Sequence, residues 1–235
     1  MSSPASPPGP DPGPGPADDP GPDLARMRRV YRGRGLDVGD LAAGWLGQFL
    51  AWFRDAVNSG LLVEPNAMVL ATASSEGMPS ARTVLLKGVD ERGLTFYTNH
   101  ESRKGRELAE NPVASVVFSW PVLNRQIVVA GSVARISRAE SEAYFRSRPR
   151  GSQLGATASP QSRLVASRAE LDQAMARTSA AYPEGTEVPL PEHWGGFRLA
   201  PRTVEFWQGA VDRLHDRLRY RRLDDGSWVI ERLAP

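Results

Sequence analysis

The sequence predicts a mainly β fold, a closed or partly split antiparallel barrel with helices at its periphery. Three observations lead there. Apolar, β-prone segments recur from Ala67 onward, separated by turn residues such as Glu76-Gly77, Asp90-Glu-Arg-Gly93 and Asp224-Asp-Gly226. Helical segments fall between groups of strands rather than after each strand, so the βαβ alternation of a parallel sheet is missing. No GxGxxG, Walker or GxSxG motif and no internal repeat occurs. The count is roughly seven or eight strands with four or five helices inserted.

Taken in order, the chain opens on residues 1–25, a Pro/Gly-rich acidic segment that cannot bury enough apolar surface to fold and is expected to be a disordered tail. Residues 26–235 are expected to form the single folded domain. Arg26-Met-Arg-Arg-Val-Tyr31 is a short basic arm. Asp40 reads as an N-cap, and Leu41, Trp45, Leu46, Phe49, Leu50, Phe53 and Val57 then mark an amphipathic helix that Gly60 ends. Ala67–Ser74, Ser80–Val89 and Leu94–Thr98 form a meander. Ser102 caps a short helix to Glu110, whose first turn holds Arg103 and Lys104. Cations there oppose the helix dipole, a local violation that a bound phosphate would resolve. Two further strands follow, 112–120 and 125–136. Ser137-Arg-Ala-Glu140 is a capping box opening a helix on which Tyr144 and Arg148 share a face, ended by Pro149, with Ser152 in the next loop. Ser167-Arg-Ala-Glu170 opens another helix, to about Ala181. Glu192–Phe197 reads as a loop entering a strand, and segments 204–209, 217–223 and 228–233 complete the strands.

Composition narrows the function. The chain has 235 residues, 40% hydrophobic and 24% charged, which suits a sizeable core. With no cysteine, disulfides, thiolate metal sites and cysteine nucleophiles are excluded. His100, His193 and His215 are far apart and show no ligand spacing, so no metal site is expected. No signal peptide is visible, and the longest near-apolar run is too short to span a bilayer, so a soluble cytoplasmic protein without a membrane partner is expected. The net charge is +2; the first 23 residues carry four aspartates and no base, leaving +6 on the rest. That balance suits anionic ligands. The basic residues fall in separated clusters rather than one stripe, which favours discrete phosphates over nucleic acid.

Two features sharpen this. In Arg82-Thr-Val-Leu-Leu-Lys87 the cations are five apart, so a regular strand puts them on opposite faces, serving two different anions. In Glu205-Phe-Trp-Gln-Gly-Ala-Val-Asp-Arg-Leu-His-Asp-Arg217, a strand would set Arg213, His215 and Arg217 on one face, two cations flanking an imidazole. Such a row suits a planar, anionic ligand.

These residues resemble the signature of the pyridoxine (pyridoxamine) 5′-phosphate oxidase family. The resemblance runs in register through Arg82–Lys87, Phe96–Asn99, Ser102–Lys104, Arg125-Gln126, Tyr144–Arg150, Val188-Pro-Leu-Pro, Trp194–Arg198 and the terminal Arg-Leu-Ala-Pro, covering about residues 28–235. It implies an FMN-binding split antiparallel β-barrel and a homodimer with FMN at the interface. It implies that Arg82, Arg103, Lys104, Gln161 and Ser162 hold the FMN phosphate and ribityl chain. Thr83, Val84, Leu85, Lys87, Tyr97, Thr98, Gln126, Trp207 and Arg217 would line the rest of the cofactor site. Lys87, Tyr144, Arg148 and Ser152 would grip the substrate phosphate, Arg213 and His215 would lie against the pyridine ring as the catalytic pair, and Arg28 and Tyr31 would belong to an arm that closes over the site. The reaction implied is oxidation of pyridoxine or pyridoxamine 5′-phosphate to pyridoxal 5′-phosphate, with hydride passing to the flavin and O2 reduced to H2O2. A related FMN oxidase of another ring substrate, of the phenazine-pathway type, is the alternative. The phosphate grip discriminates between the two.

Overall fold

The structure, a computed structural model, describes residues 23–27, 31 and 35–235. The expectations for residues 1–22, and for Arg28 in the arm, lie outside the described residues. Leu24–Arg26 forms one 3-10 turn, with Arg26 paired to Asp23 at 3.1 Å. The remainder, from Tyr31 to Pro235, is one compact unit.

Among the described residues, nine antiparallel strands and five α-helices build that unit. The strands are β1 (Ala67–Ala73), β2 (Pro79–Leu85), β3 (Gly88–Asp90), β4 (Gly93–Asn99), β5 (Val113–Trp120), β6 (Arg125–Arg135), β7 (Trp194–Gln208), β8 (Asp216–Arg222) and β9 (Trp228–Leu233). The helices are α1 (Trp45–Asn58), α2 (Arg103–Glu110), α3 (Arg138–Ser147), α4 (Arg150–Ala158) and α5 (Arg168–Ala181). The sheet runs β2-β1-β5-β6-β7-β4-β3, with β8 added to β7 and β9 to β8. Strand β7 is where the sheet divides. Its first residues pair with β4 (Asn99↔Trp194 to Leu94↔Leu199), its last with β8 (Thr203↔Arg221 to Gln208↔Asp216), and β6 runs beside almost all of it. A strand whose two halves serve different neighbours makes a split barrel of what would otherwise be a flat sheet.

The core follows from the alternation of the strands. Phe96, Phe118, Ile127, Leu199, Phe206 and Leu218 are fully buried. Helix α1 lays its apolar face on them: Trp52 meets Phe206 edge-on at 5.2 Å and Phe49 meets Phe118 at 5.3 Å. Each such side chain contributes about 1.5–3 kcal/mol by leaving water. A second, smaller cluster joins Phe145, Leu154, Val188, Leu190 and Trp194 under α3 and α4. No helix among the described residues is long and apolar enough to cross a membrane.

Several expected boundaries move. Helix α1 starts at Trp45 behind Gly44, because Asp40 instead closes a 3-10 turn capped by Asp37. The strand expected over 80–89 breaks at Leu86-Lys87 into β2 and β3. The helix carrying Tyr144 ends at Ser147, with Arg148 extended at its C-terminal cap and Ser152 in the first turn of α4 rather than in a loop. The strand expected over 204–209 is the last part of β7, which begins ten residues earlier.

Candidate functional site

Ser102 caps α2 as expected, its side chain accepting from the Gly105 N–H at 3.3 Å. That cap fixes the first turn and with it Arg103 and Lys104. Lys104 is buried, and its Nζ donates to Thr98 Oγ1 at 3.2 Å and Gln161 Oε1 at 3.0 Å. Burial, seconded by the nearby Arg82 guanidinium, lowers its pKa to about 8. Gln161 arrives on the polar loop after α4 and also accepts from Thr98 Oγ1 at 2.9 Å. A second contact ties down the same loop, where Arg163 pairs with Glu101 at 2.7 Å. Ser162, beside Gln161, is exposed at φ 68°.

Arg82 reaches this region from β2. Its Nη1 donates to Thr72 Oγ1 at 2.5 Å and Leu70 O at 3.3 Å, its Nη2 donates to Ser80 Oγ, and Glu107 Oε2 lies 3.4 Å away. Arg82 is therefore ion-paired within the chain, but the same carboxylate also takes Arg103 at 2.8 Å. Two guanidinium groups share one carboxylate. Sequence reasoning missed Glu107, although its position four residues after Arg103 on a helix was the available signal.

A cavity of about 280 Å³ is lined by Thr83, Val84, Leu85, Tyr97, Thr98, Lys104 and Gln161 and also by Lys87, Tyr144, Arg148 and Trp194. Lys87 lines this cavity and Arg82 does not, and the chain breaks between β2 and β3 before Lys87, so the alternation expected of one regular strand does not apply to the pair. Arg148 is half-buried; burial depresses its pKa, its guanidinium lies 4.8 Å over Trp194, and its Nη1 is buried without a hydrogen-bond partner among the described residues. Such a donor awaits an acceptor. Ser152 lines an adjoining cavity that shares Arg148, Gln161 and Trp194. Tyr144 stacks on Tyr97 at 3.9 Å and Tyr97 on Trp194 at 5.5 Å, an aromatic wall whose Trp194 member sequence reasoning left without a role.

The C-terminal group gathers elsewhere. Gln126, Trp207 and Arg217 are neighbours across β6, β7 and β8 (Gln126↔Trp207, Trp207↔Arg217). Arg217 makes a bidentate pair with Glu205 at 2.7 and 3.1 Å and donates to Ala234 O at 2.9 Å. His215 packs on Trp207 at 4.7 Å, and Tyr31 meets both rings edge-on at 5.3 and 5.8 Å. Gly209 makes room for Tyr31, since a Cβ there would fall 2.8 Å from its Cδ1. The expected row of Arg213, His215 and Arg217 on one strand face does not form. Val211–Arg213 is a 3-10 turn with Asp212 and Arg213 at φ 54° and 62°, and β8 starts only at Asp216. Left-handed backbone at two successive non-glycine residues turns the chain, so alternation cannot apply. Arg213 is exposed, and the His215 Nδ1 accepts from the Ala210 N–H at 3.1 Å.

The two groups sit at opposite ends of one strand. Thr98 pairs with Gly195 and Gln126 with Trp207, twelve residues further along β7, up to about 40 Å of strand at about 3.3 Å per residue.

An antiparallel split barrel with a capped, cation-bearing helix start and further cations lining the adjoining cavity defines a class of protein suited to anionic small molecules. Known proteins narrow the class. The model of the pyridoxamine 5′-phosphate oxidase family matches residues 53–182, and that of the pyridoxine 5′-phosphate oxidase C-terminal dimerisation region matches 194–235. The chain belongs to the pyridoxamine 5′-phosphate oxidase family. A pyridoxine/pyridoxamine 5′-phosphate oxidase of Streptomyces avermitilis is 56% identical over 216 residues, 91% of this chain and 96% of the relative. One of Frankia alni is 57% identical over 217 residues, 92% and 90% of the two chains. Among solved structures, PhzG from Burkholderia lata, in complex with tetrahydrophenazine-1-carboxylic acid, superposes with a TM-score of 0.78 at 33% identity, covering 84% of this chain and 95% of that one.

Proposed function

We propose that this protein is an FMN-dependent oxidase that converts pyridoxine or pyridoxamine 5′-phosphate to pyridoxal 5′-phosphate with O2 as electron acceptor. The observation that carries the reading is the three cations, Lys87, Lys104 and Arg148, that line one cavity together with the aromatic wall of Tyr97, Tyr144 and Trp194. The donor set fits FMN. Arg82, Arg103 and Lys104 against the single carboxylate of Glu107 leave two net positive charges, the complement of a phosphomonoester of about −1.5 to −2. Bound there, FMN supplies the hydride acceptor and the route for electrons to O2.

The chain's own residues do the rest. Arg82, Arg103 and Lys104 hold the cofactor phosphate, with Thr98, Gln161 and Ser162 beside the ribityl chain and Thr83–Leu85 and Tyr97 along the cavity wall. Lys87, Tyr144, Arg148 and Ser152 grip the substrate phosphate, the buried Nη1 of Arg148 supplying a donor already stripped of water. Gln126, Trp207 and Arg217 approach the cofactor from a second copy of the chain, together with Arg213 and His215 over the pyridine ring. Three N–H groups of Arg217 are engaged, leaving two for a ligand. A backbone N–H can only donate, so the His215 Nδ1 that faces Ala210 must accept, and the neutral ring carries its proton on Nε2. His215 therefore orients substrate by donating from Nε2 rather than removing a proton there. Tyr31 closes over the pair.

The test compares O2 consumption with phosphorylated and unphosphorylated pyridoxine by the FMN-loaded protein. Losing two charge-assisted hydrogen bonds of about 1.5–3 kcal/mol each should lower kcat/KM more than about a hundredfold. Equal rates would refute the phosphate grip and favour a substrate of the kind held by the phenazine-pathway neighbour. A protein that neither carries nor takes up FMN would refute the whole reading.

A further inference from the structure

Glu107 enters the reading above only as one negative charge, yet it is buried against the arginines that hold the cofactor phosphate in it. Its Oε1 accepts from Arg103 Nε at 2.8 Å. Its Oε2 accepts from Thr72 Oγ1 at 2.5 Å and from Ser80 Oγ at 2.6 Å. Both hydroxyls accept in turn from Arg82, Thr72 from Nη1 and Ser80 from Nη2. A hydroxyl has one proton. With both protons directed at the carboxylate, both sets of lone pairs turn to the guanidinium. Glu107 thereby fixes the two-hydroxyl fork that orients Arg82, and it holds the largely exposed Arg103 directly.

The charge makes this arrangement informative. Burial works against an ionised carboxylate, but hydrogen bonds from Ser80, Thr72 and Arg103 outweigh it and hold the pKa at about 2. The group is an anion at every working pH. An anion beside a phosphate site repels the ligand, so its net effect on binding depends on whether the order it imposes on the cations outweighs that repulsion. Two long guanidinium side chains, one of them at the surface, have much rotamer freedom to lose when a ligand fixes them.

We propose that Glu107 is a positioning residue for the cofactor phosphate: through Thr72, Ser80 and its own carboxylate it sets Arg82 and Arg103 in place before the phosphate arrives, at the cost of one unit of attractive charge. The inference rests on the FMN reading above.

Flavin-stripped full-length protein, titrated with FMN and with riboflavin by flavin fluorescence, tests it. In Glu107→Gln an amide N–H2 replaces one acceptor oxygen, so either Arg103 or the hydroxyl fork loses its partner. FMN Kd should rise by about tenfold or more, the value of one charge-assisted bond, while riboflavin Kd stays put. Unchanged or tighter FMN binding would overturn the proposal, since repulsion would then be the carboxylate's only effect. A parallel loss for riboflavin would overturn it too, by showing general damage to the fold. Should Glu107→Gln not fold, Thr72→Val removes one arm of the fork alone and must weaken FMN but not riboflavin; no change in FMN affinity refutes the role. The wild-type protein separates the two levels. If it shows no preference for FMN over riboflavin, the phosphate reading itself fails; if it does and Glu107→Gln keeps that preference in full, only the role of Glu107 fails.

Discussion

A lysine 8% exposed, whose hydrogen bonds go to a hydroxyl and an amide oxygen rather than to a carboxylate, is costly to keep charged, and the pKa of Lys104 falls to about 8 as a result. Its folded value lies below its unfolded one, so the charge opposes folding below about pH 8, and that cost fades as pH rises from 8 toward 10.5. Phosphate reverses the balance by supplying the missing counter-charge. Below pH 8 the lysine is charged in free and bound protein alike, and FMN affinity should be flat on its account. Above pH 8 binding must take up a proton, and affinity should fall by up to about tenfold per pH unit. Lys104→Met keeps the stem and removes the charge. It should weaken FMN by about tenfold or more at pH 7 and abolish the alkaline decline, while riboflavin shows neither effect in either protein. A decline that persists in Lys104→Met would assign it to another group.

Elements, rather than single residues, set where these groups stand, and β7 carries most of the load. Its pairing with β6 changes register between Ala130 and Gly131, where Gly131 lies against Pro201. A Cβ on Gly131 would fall 1.9 Å from the Ala200 carbonyl oxygen and 3.0 Å from the Arg202 nitrogen, both backbone atoms that cannot rotate away. Overpacking of this kind costs about 1–3 kcal/mol, so Gly131→Ala should lower Tm by roughly 2–12 °C for a domain of this size, read by thermal unfolding of the flavin-free protein. An unchanged Tm would mean the bulge has slack. The position also shows which parts of the fold were legible beforehand. Hairpin turns and capping boxes depend on a few adjacent residues, and the Ser102, Ser137 and Ser167 caps and the turn at Gly226 stand where local chemistry put them. The early start of β7 was only partly legible: Glu192–Phe197 reads as a loop entering a strand, but Trp194-Gly-Gly is poor strand material that only β4 makes extended. The turn at Asp212-Arg213 was not legible, since two aspartyl and arginyl residues in left-handed backbone leave no glycine to announce it. The break at Leu86-Lys87 belongs to the same class: an apolar run reads as continuous strand until its neighbours are known.

At the scale of the whole molecule the site residues were legible as types, from cations in odd places, and their grouping was not. Motif order says nothing of which end of β7 a residue occupies. Arg82, Lys104 and Lys87 gather near the Gly195 end, Trp207 and His215 at the other, and no side chain spans twelve strand residues. A single copy therefore cannot bring both groups to one flavin, whereas a two-fold dimer can make two equal sites, each with its phosphate grip from one copy and its Arg213 and His215 from the other. The matched C-terminal dimerisation region, residues 194–235, contains Trp207, Arg213, His215 and Arg217 of the second group, with Gln126 and Tyr31 outside it. This architecture makes a prediction that no single-chain site can meet. Lys104→Met and Arg213→Leu/His215→Ala should each be nearly inactive alone at limiting FMN. In a dimer that combines them, one site collects every lesion and the other collects none. Co-expression with random pairing should restore roughly a quarter of wild-type activity, and purified mixed dimers about half. If each site were built from one chain, every site in the mixed dimer would carry one lesion or the other, and mixing would restore nothing. Tagging the two variants differently and assaying the doubly captured fraction distinguishes the outcomes, and absence of recovered activity there would refute the shared site.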